Sequence, residues 1–224
     1  MNVKSVASVV VLIGWLAIAL GCRASAPAGA NGQNAVSEFV QLEERLLSAE
    51  SVWFDYHVTA EGVLEADIKG AFLLRHGDLA LISGSGSISG NSVDLELRAD
   101  KHGLVMRNGL GSRRVSRPSG LDEALLIGFT RMGILHNLAQ LTELNPPDHA
   151  EGGVGEWVVV SGVRSEQHQA VTNFFDLLVA GQPAGSASLE IDMEGLPVMR
   201  SQSVQFPSGE MRVLERYSGM KILD

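Results

Sequence analysis

Val52-Trp53-Phe54-Asp55-Tyr56-His57-Val58-Thr59 reads in twos: Val52, Phe54, Tyr56 and Val58 fall on one side, Trp53, Asp55, His57 and Thr59 on the other. A period of two is the pleat of a β-strand with one buried face. Glu61-Gly62 then turns the chain, and Leu64, Ala66, Ile68, Gly70 and Phe72 alternate with Glu65, Asp67 and Lys69. Two long strands joined this tightly make an antiparallel hairpin.

Working outward, the same alphabet recurs. After the turn at His76-Gly77-Asp78, residues 78–89 supply a third strand or a third and a short fourth, with Ser83-Gly84-Ser85-Gly86-Ser87 as a bulge or a bend. Val93, Leu95 and Leu97 alternate with Asp94, Glu96 and Arg98, and Asp100-Lys101-His102-Gly103 turns into Leu104-Val105-Met106-Arg107. Further strands are predicted at Trp157-Val158-Val159-Val160 and from Asn173 to Val179. Three more follow, after Gln182-Pro183, after Glu194-Gly195-Leu196-Pro197 and after Pro207-Ser208-Gly209. That makes about ten strands in a meander rather than a βαβ array, an α+β or barrel-like domain.

Two segments break the alternation. Residues 37–49 predict an amphipathic helix, with Ser37 as N-cap and Phe39, Leu42, Leu46 and Ala49 at helical spacing. Pro118-Ser119-Gly120-Leu121-Asp122-Glu123 predicts a second helix start, with Ser119 as cap and acids at the positive end of the dipole. From Ala124 to Leu141 that helix is apolar on nearly every face, through Leu125, Phe129, Met132, Leu135 and Leu138; Thr130, Arg131, His136, Asn137 and Gln140 are its polar exceptions. Such a helix is buried, covers an apolar surface, or inserts into lipid. Asn145-Pro146-Pro147-Asp148 stops it.

The N-terminus gives an address. Lys4 and the apolar run from Val9 to Ile18 form a secretory signal, too short to span a bilayer that needs about 20 apolar residues. Ala19-Leu20-Gly21-Cys22 resembles the lipobox of bacterial lipoproteins, which implies acylation of Cys22; the other reading is an ordinary cleaved signal or an uncleaved anchor. Cys22 is the one cysteine, so no internal disulfide forms, and acylation accounts for an odd cysteine in an exported chain. Domain boundaries follow: 1–21 signal peptide, 22–35 flexible tether, 36–224 one folded domain.

Composition excludes several classes. A formal charge of −9 leaves no basic footprint for nucleic acid. The six histidines (57, 76, 102, 136, 149 and 168) make no HExxH or i,i+4 pair, and Asp148-His149-Ala150-Glu151 reads as a solvated loop before it reads as a metal site. The glycine-serine run lacks the lysine of a phosphate loop, and no Gly-x-Ser-x-Gly elbow precedes a helix. The expectation is no enzyme and no cofactor.

A helix leading into a long hairpin (Leu46-Leu47-Ser48-Ala49-Glu50-Ser51-Val52-Trp53-Phe54) and a late strand–turn–strand (Leu189-Glu190-Ile191-Asp192-Met193-Glu194-Gly195-Leu196-Pro197-Val198-Met199-Arg200) resemble the LolA/LolB and LppX-type lipoprotein and lipid carriers of bacterial envelopes. The resemblance implies an α+β, mainly antiparallel β fold. A curved meander sheet would form an unclosed half-barrel around an apolar cavity, with one N-terminal helix and an apolar plug or lid helix.

On that layout Leu125, Phe129, Met132, Leu135, Phe54 and Phe72 are candidate contacts for a lipid or acyl chain such as palmitate, or else simply the domain core. Arg113, Arg114 and Arg117 crowd the loop before the apolar helix, to meet anionic headgroups or to stand as a solvated loop. The expected function is a lipid-anchored envelope protein, at the periplasmic face of the outer membrane, that binds or relays a hydrophobic ligand. The alternative is a non-enzymatic module docking an envelope protein partner.

Overall fold

A computed structural model describes residues 30–146, 156–165, 170–179 and 181–223. Cys22, the signal segment, His149 and His168 lie outside them. Helix α1 (Ala30–Ser48) leads into β1 (Ser51–Gly62), β2 (Ala66–Arg75), β3 (Leu79–Ile88), β4 (Asn91–Asp100), β5 (Gly103–Arg107) and β6 (Ser112–Val115). A helical strap follows: α2 (Leu121–Ile127), one π-helical turn (Gly128–Met132) and α3 (Ile134–Thr142). The chain then runs through β7 (Glu156–Ser165), β8 (Ala170–Val179), β9 (Gln182–Ile191), β10 (Pro197–Phe206) and β11 (Gly209–Leu223).

All eleven strands form one antiparallel sheet, in the order β6-β5-β4-β3-β2-β1-β11-β10-β9-β8-β7. The first meander ends at one edge and the second begins at the other, so the strap connects the two free edges. The sheet is an unclosed half-barrel, and the strap with α1 fills its inner face. There Phe54, Val58, Ile68, Phe72, Leu74, Ile82 and Leu97 of the sheet meet Leu125, Leu126, Phe129, Ile134 and Leu138 of the strap in a single apolar core.

The alternation read from Val52 onward is the pattern observed: Val52, Phe54, Tyr56, Val58 and Ala60 are buried. β1 pairs with β2 without interruption from Ser51↔Arg75 to Ala60↔Ala66. The turn sits later than expected, because Gly62 still pairs with Met211 of β11. The Ser83–Ser87 run is neither bulge nor bend but the middle of one regular strand, in continuous register with both neighbours. Gly84 has a steric reason: the Tyr56 ring lies across β2 and β3, and its hydroxyl donates to the Ser83 carbonyl at 2.7 Å. A Cβ on Gly84 would sit 2.8 Å from that hydroxyl, and one on Gly70 only 2.5 Å away.

Three further expectations are corrected. Helix α1 starts at Ala30, inside the stretch read as tether; an aperiodic polar sequence hides a helix that propagates outward from a packed end, one bond per residue. Ser119 is not a cap: the residue preceding α2 is Gly120, with no side-chain capping bond. Asp122 instead accepts from the Gly77 amide at 2.8 Å and from Arg117 at 2.5 Å. Finally, Ser112–Val115, read as loop, is the edge strand β6, whose Ser-Arg-Arg-Val sequence carries no alternation because most of it is exposed.

Candidate functional site

The strap was expected as one helix, and it is two. At Gly133 the backbone adopts φ 85° and ψ 161°, which ends the π turn and restarts the chain as α3. A break exposes two sets of unpaired main-chain groups, carbonyls on the first piece and N–H groups on the second. Both ends are buried against the sheet, where an unmet backbone group costs roughly 1–3 kcal/mol. The sheet supplies what each end lacks.

Glu215, on the inner face of β11, takes the N-terminal end. Its Oε2 accepts the Ile134 amide at 2.8 Å and its Oε1 the Leu135 amide at 2.9 Å, and the Tyr217 hydroxyl also donates to Oε2. Arg200, on β10, takes the C-terminal end: it donates to the Thr130 carbonyl at 3.0 Å and to the Arg131 carbonyl, and its Nε reaches Gln202 at 3.2 Å. Arg200 and Glu215 are direct cross-strand partners. An adjacent cation and anion thus cap the opposed negative and positive helix ends. Both are 0% exposed.

Their surroundings perturb them as burial demands. Desolvation pushes the Glu215 carboxyl up from its ordinary value, opposed by its hydrogen bonds and by Arg200. Desolvation lowers Arg200, while Tyr217 and Glu215 work the other way. The Arg200 guanidinium also lies 5.3 Å from the centre of the Trp157 ring and 5.2 Å from that of Phe175, two cation–π contacts that offset part of its lost hydration.

Helix α1 holds the strap from its other side. Glu43 accepts from the Thr130 hydroxyl at 2.9 Å and from Arg131 at 2.8 and 2.6 Å. Asn137 of α3 reaches back to the Leu125 carbonyl at 3.1 Å, bridging the break. The kink is therefore a polar knot set into an apolar core.

Phe54, Phe72 and Phe129 meet directly. Phe54 stacks on Phe72 at 4.8 Å and on Phe129 at 4.5 Å, and Tyr217 packs edge-on to Phe129 at 5.0 Å. Leu125 and Leu135 join the same core, and Met132 packs at its margin. These candidate ligand contacts hold the plug in place, and the strap fills the inner face. Arg113 and Arg114 stand on β6 at the free edge; Arg113 donates to the Leu144 carbonyl at 3.2 Å. Arg117 pairs with Asp122 beside α2. His136 lies on α3, where burial pushes its pKa down. Among the described residues no group of three or more metal-ligating side chains comes together.

A concavity of about 950 Å³ lies on the opposite, outer face of β7–β11 and β1. Its floor is a hydroxyl-rich row of Thr59, Ser201, Ser188 and Ser161, beside Phe174. Sequence reasoning missed Glu43, Arg200, Glu215 and Tyr217. Gly128 and Gly133 within the apolar run were the available signal for a break.

No family profile matches this chain, and no curated protein matches it. Solved structures that align with it include a DUF1329 family protein from Desulfovibrio piger at 8% identity and TM-score 0.34, covering 87% of this chain and 94% of that one. A LolA superfamily protein from Nitrosomonas europaea aligns at 10% identity and TM-score 0.34, covering 85% and 94%. A domain provisionally assigned to outer membrane lipoprotein sorting, from Vibrio parahaemolyticus, aligns at 7% and TM-score 0.31, covering 85% and 92%. The family that the sequence resembles is thus among the neighbours.

Proposed function

We propose that this chain is an exported bacterial envelope protein, tethered by lipid on Cys22, that binds or relays an acyl chain on the inner face of its half-barrel. The observation that carries the reading is the strap. It is an apolar insert that joins two free sheet edges, and it is broken where it crosses the core. A few main-chain bonds to Arg200 and Glu215 tie that break to the sheet. An acyl chain offers the sheet the same kind of apolar surface, at about 25 cal/mol per Å² buried, less the cost of displacing the strap. The filled core is then the ligand-free state, and the plug becomes a lid.

The second reading, a module that docks an envelope protein, has its own support in the open outer groove. Native mass spectrometry of the mature protein purified from a bacterial envelope separates the two. Co-purifying acyl species, and uptake of a fluorescent fatty acyl probe, support the carrier. A clean apo mass with no uptake removes it and favours the docking module.

A further inference from the structure

Along β8 the inward side chains are Val171, Asn173, Phe175 and Leu177. Three of these are core residues of the ordinary kind; Asn173 is not. It is 0% exposed, and among the described residues neither its Nδ2 nor its Oδ1 has a hydrogen-bond partner. Native interiors satisfy nearly all such groups, so one that misses both halves of its bonding capacity calls for an explanation.

Its place in the sheet supplies one. Asn173 sits opposite Gly162 of β7, which contributes no side chain, and opposite Leu189 of β9. Leu189 is in turn opposite Arg200, and Arg200 opposite Glu215. One inner-face row therefore carries three buried polar groups, Asn173, Arg200 and Glu215, across strands about 4.8 Å apart. The strap satisfies Arg200 and Glu215. It leaves Asn173 bare, beneath the region where Phe39 of α1 packs on Phe175.

We propose that Asn173 recognises the polar end of the acyl ligand, and that this end presents a donor and an acceptor side by side. This deepens the carrier reading and rests on it. A carboxamide side chain holds N–H and C=O on the same edge, so two-point pairing needs the complementary edge. An un-ionised carboxylic acid or a primary carboxamide has that edge. An ester has acceptors only, which leaves Oδ1 unmet, and a trans secondary amide points its N–H and C=O in opposite directions. Burial favours the un-ionised acid over the carboxylate. The ligand class is a free long-chain fatty acid or fatty amide, rather than an esterified lipid.

The test uses the full chain made with its own leader, and measures displacement of a bound fluorescent acyl probe by palmitamide, palmitic acid and methyl palmitate. The expected result is that palmitamide and palmitic acid bind about tenfold more tightly than methyl palmitate. Asn173→Leu abolishes the difference between the three and raises the thermal midpoint. The probe series on the unaltered chain stands by itself if that variant fails to fold. Equal affinities for all three overturn the role of Asn173 and leave the carrier intact. Tight binding of palmitic acid alone also overturns it, since the carboxylate is then the ligand. Failure of all three to bind removes the carrier reading as well.

Discussion

Replacing Arg200 by Met isolates the capping of the strap. The methionine keeps an unbranched apolar stem but not the guanidinium that lies against the Trp157 and Phe175 rings. What goes is the guanidinium: its bonds to the Thr130 and Arg131 carbonyls, and the charge beside Glu215. Removing one member of a buried charged pair typically costs about 3–5 kcal/mol. For a domain of this size each kcal/mol is roughly 2–4 °C, so the thermal midpoint falls by about 6–20 °C. The loss is local in origin. Hydrogen–deuterium exchange across residues 128–142 therefore accelerates by about a hundredfold or more, while β1 and β2 change far less. A cost below about 1 kcal/mol, or exchange that rises equally in the strap and the central strands, refutes the capping role.

Burial raises the Glu215 carboxyl, so its contribution to stability is complete below its ordinary value of 4.5 and is lost as pH rises through the raised one. Against Glu215→Gln, which does not titrate, thermal melts across pH show the wild-type advantage shrinking as pH rises; an advantage that grows contradicts this. Phe129→Ala empties the centre of the ring stack and costs about 3–5 kcal/mol in urea titration. Gly133→Ala places a Cβ 2.6 Å from Glu215 Oε1 on a backbone with φ 85°, and destabilises by more than about 1 kcal/mol in the same titration. An unchanged midpoint there places the break elsewhere.

The fold was legible where one face is apolar and the other polar. Val52 to Thr59 alternates cleanly because Asp55, His57 and Thr59 mark an outer set against the buried Val52, Phe54, Tyr56 and Val58. The site was not legible, for the same reason inverted. On β10 the inward residues include Arg200 and Gln202, and on β11 Glu215 stands inward while the apolar Leu214 lies on the opposite face. An alternation rule assigns those charges to solvent. Only the register, which places Arg200 against Glu215 beneath the break, identifies them as caps. Asn173 was concealed likewise, inside an apolar run whose length announces a strand but not which atoms remain unbonded. Gly133 could have been read as a break, yet the apolar residues on both sides of it continue one helical pattern.

The central claim is that an acyl chain displaces the strap from the inner face. Hydrogen–deuterium exchange of the full chain, with and without saturating palmitamide, tests it most directly. The account predicts that amides of residues 128–142 lose protection on ligand binding while β1, β2 and β11 keep theirs. Bound ligand with an unchanged strap contradicts it, and places the acyl chain somewhere other than the inner face.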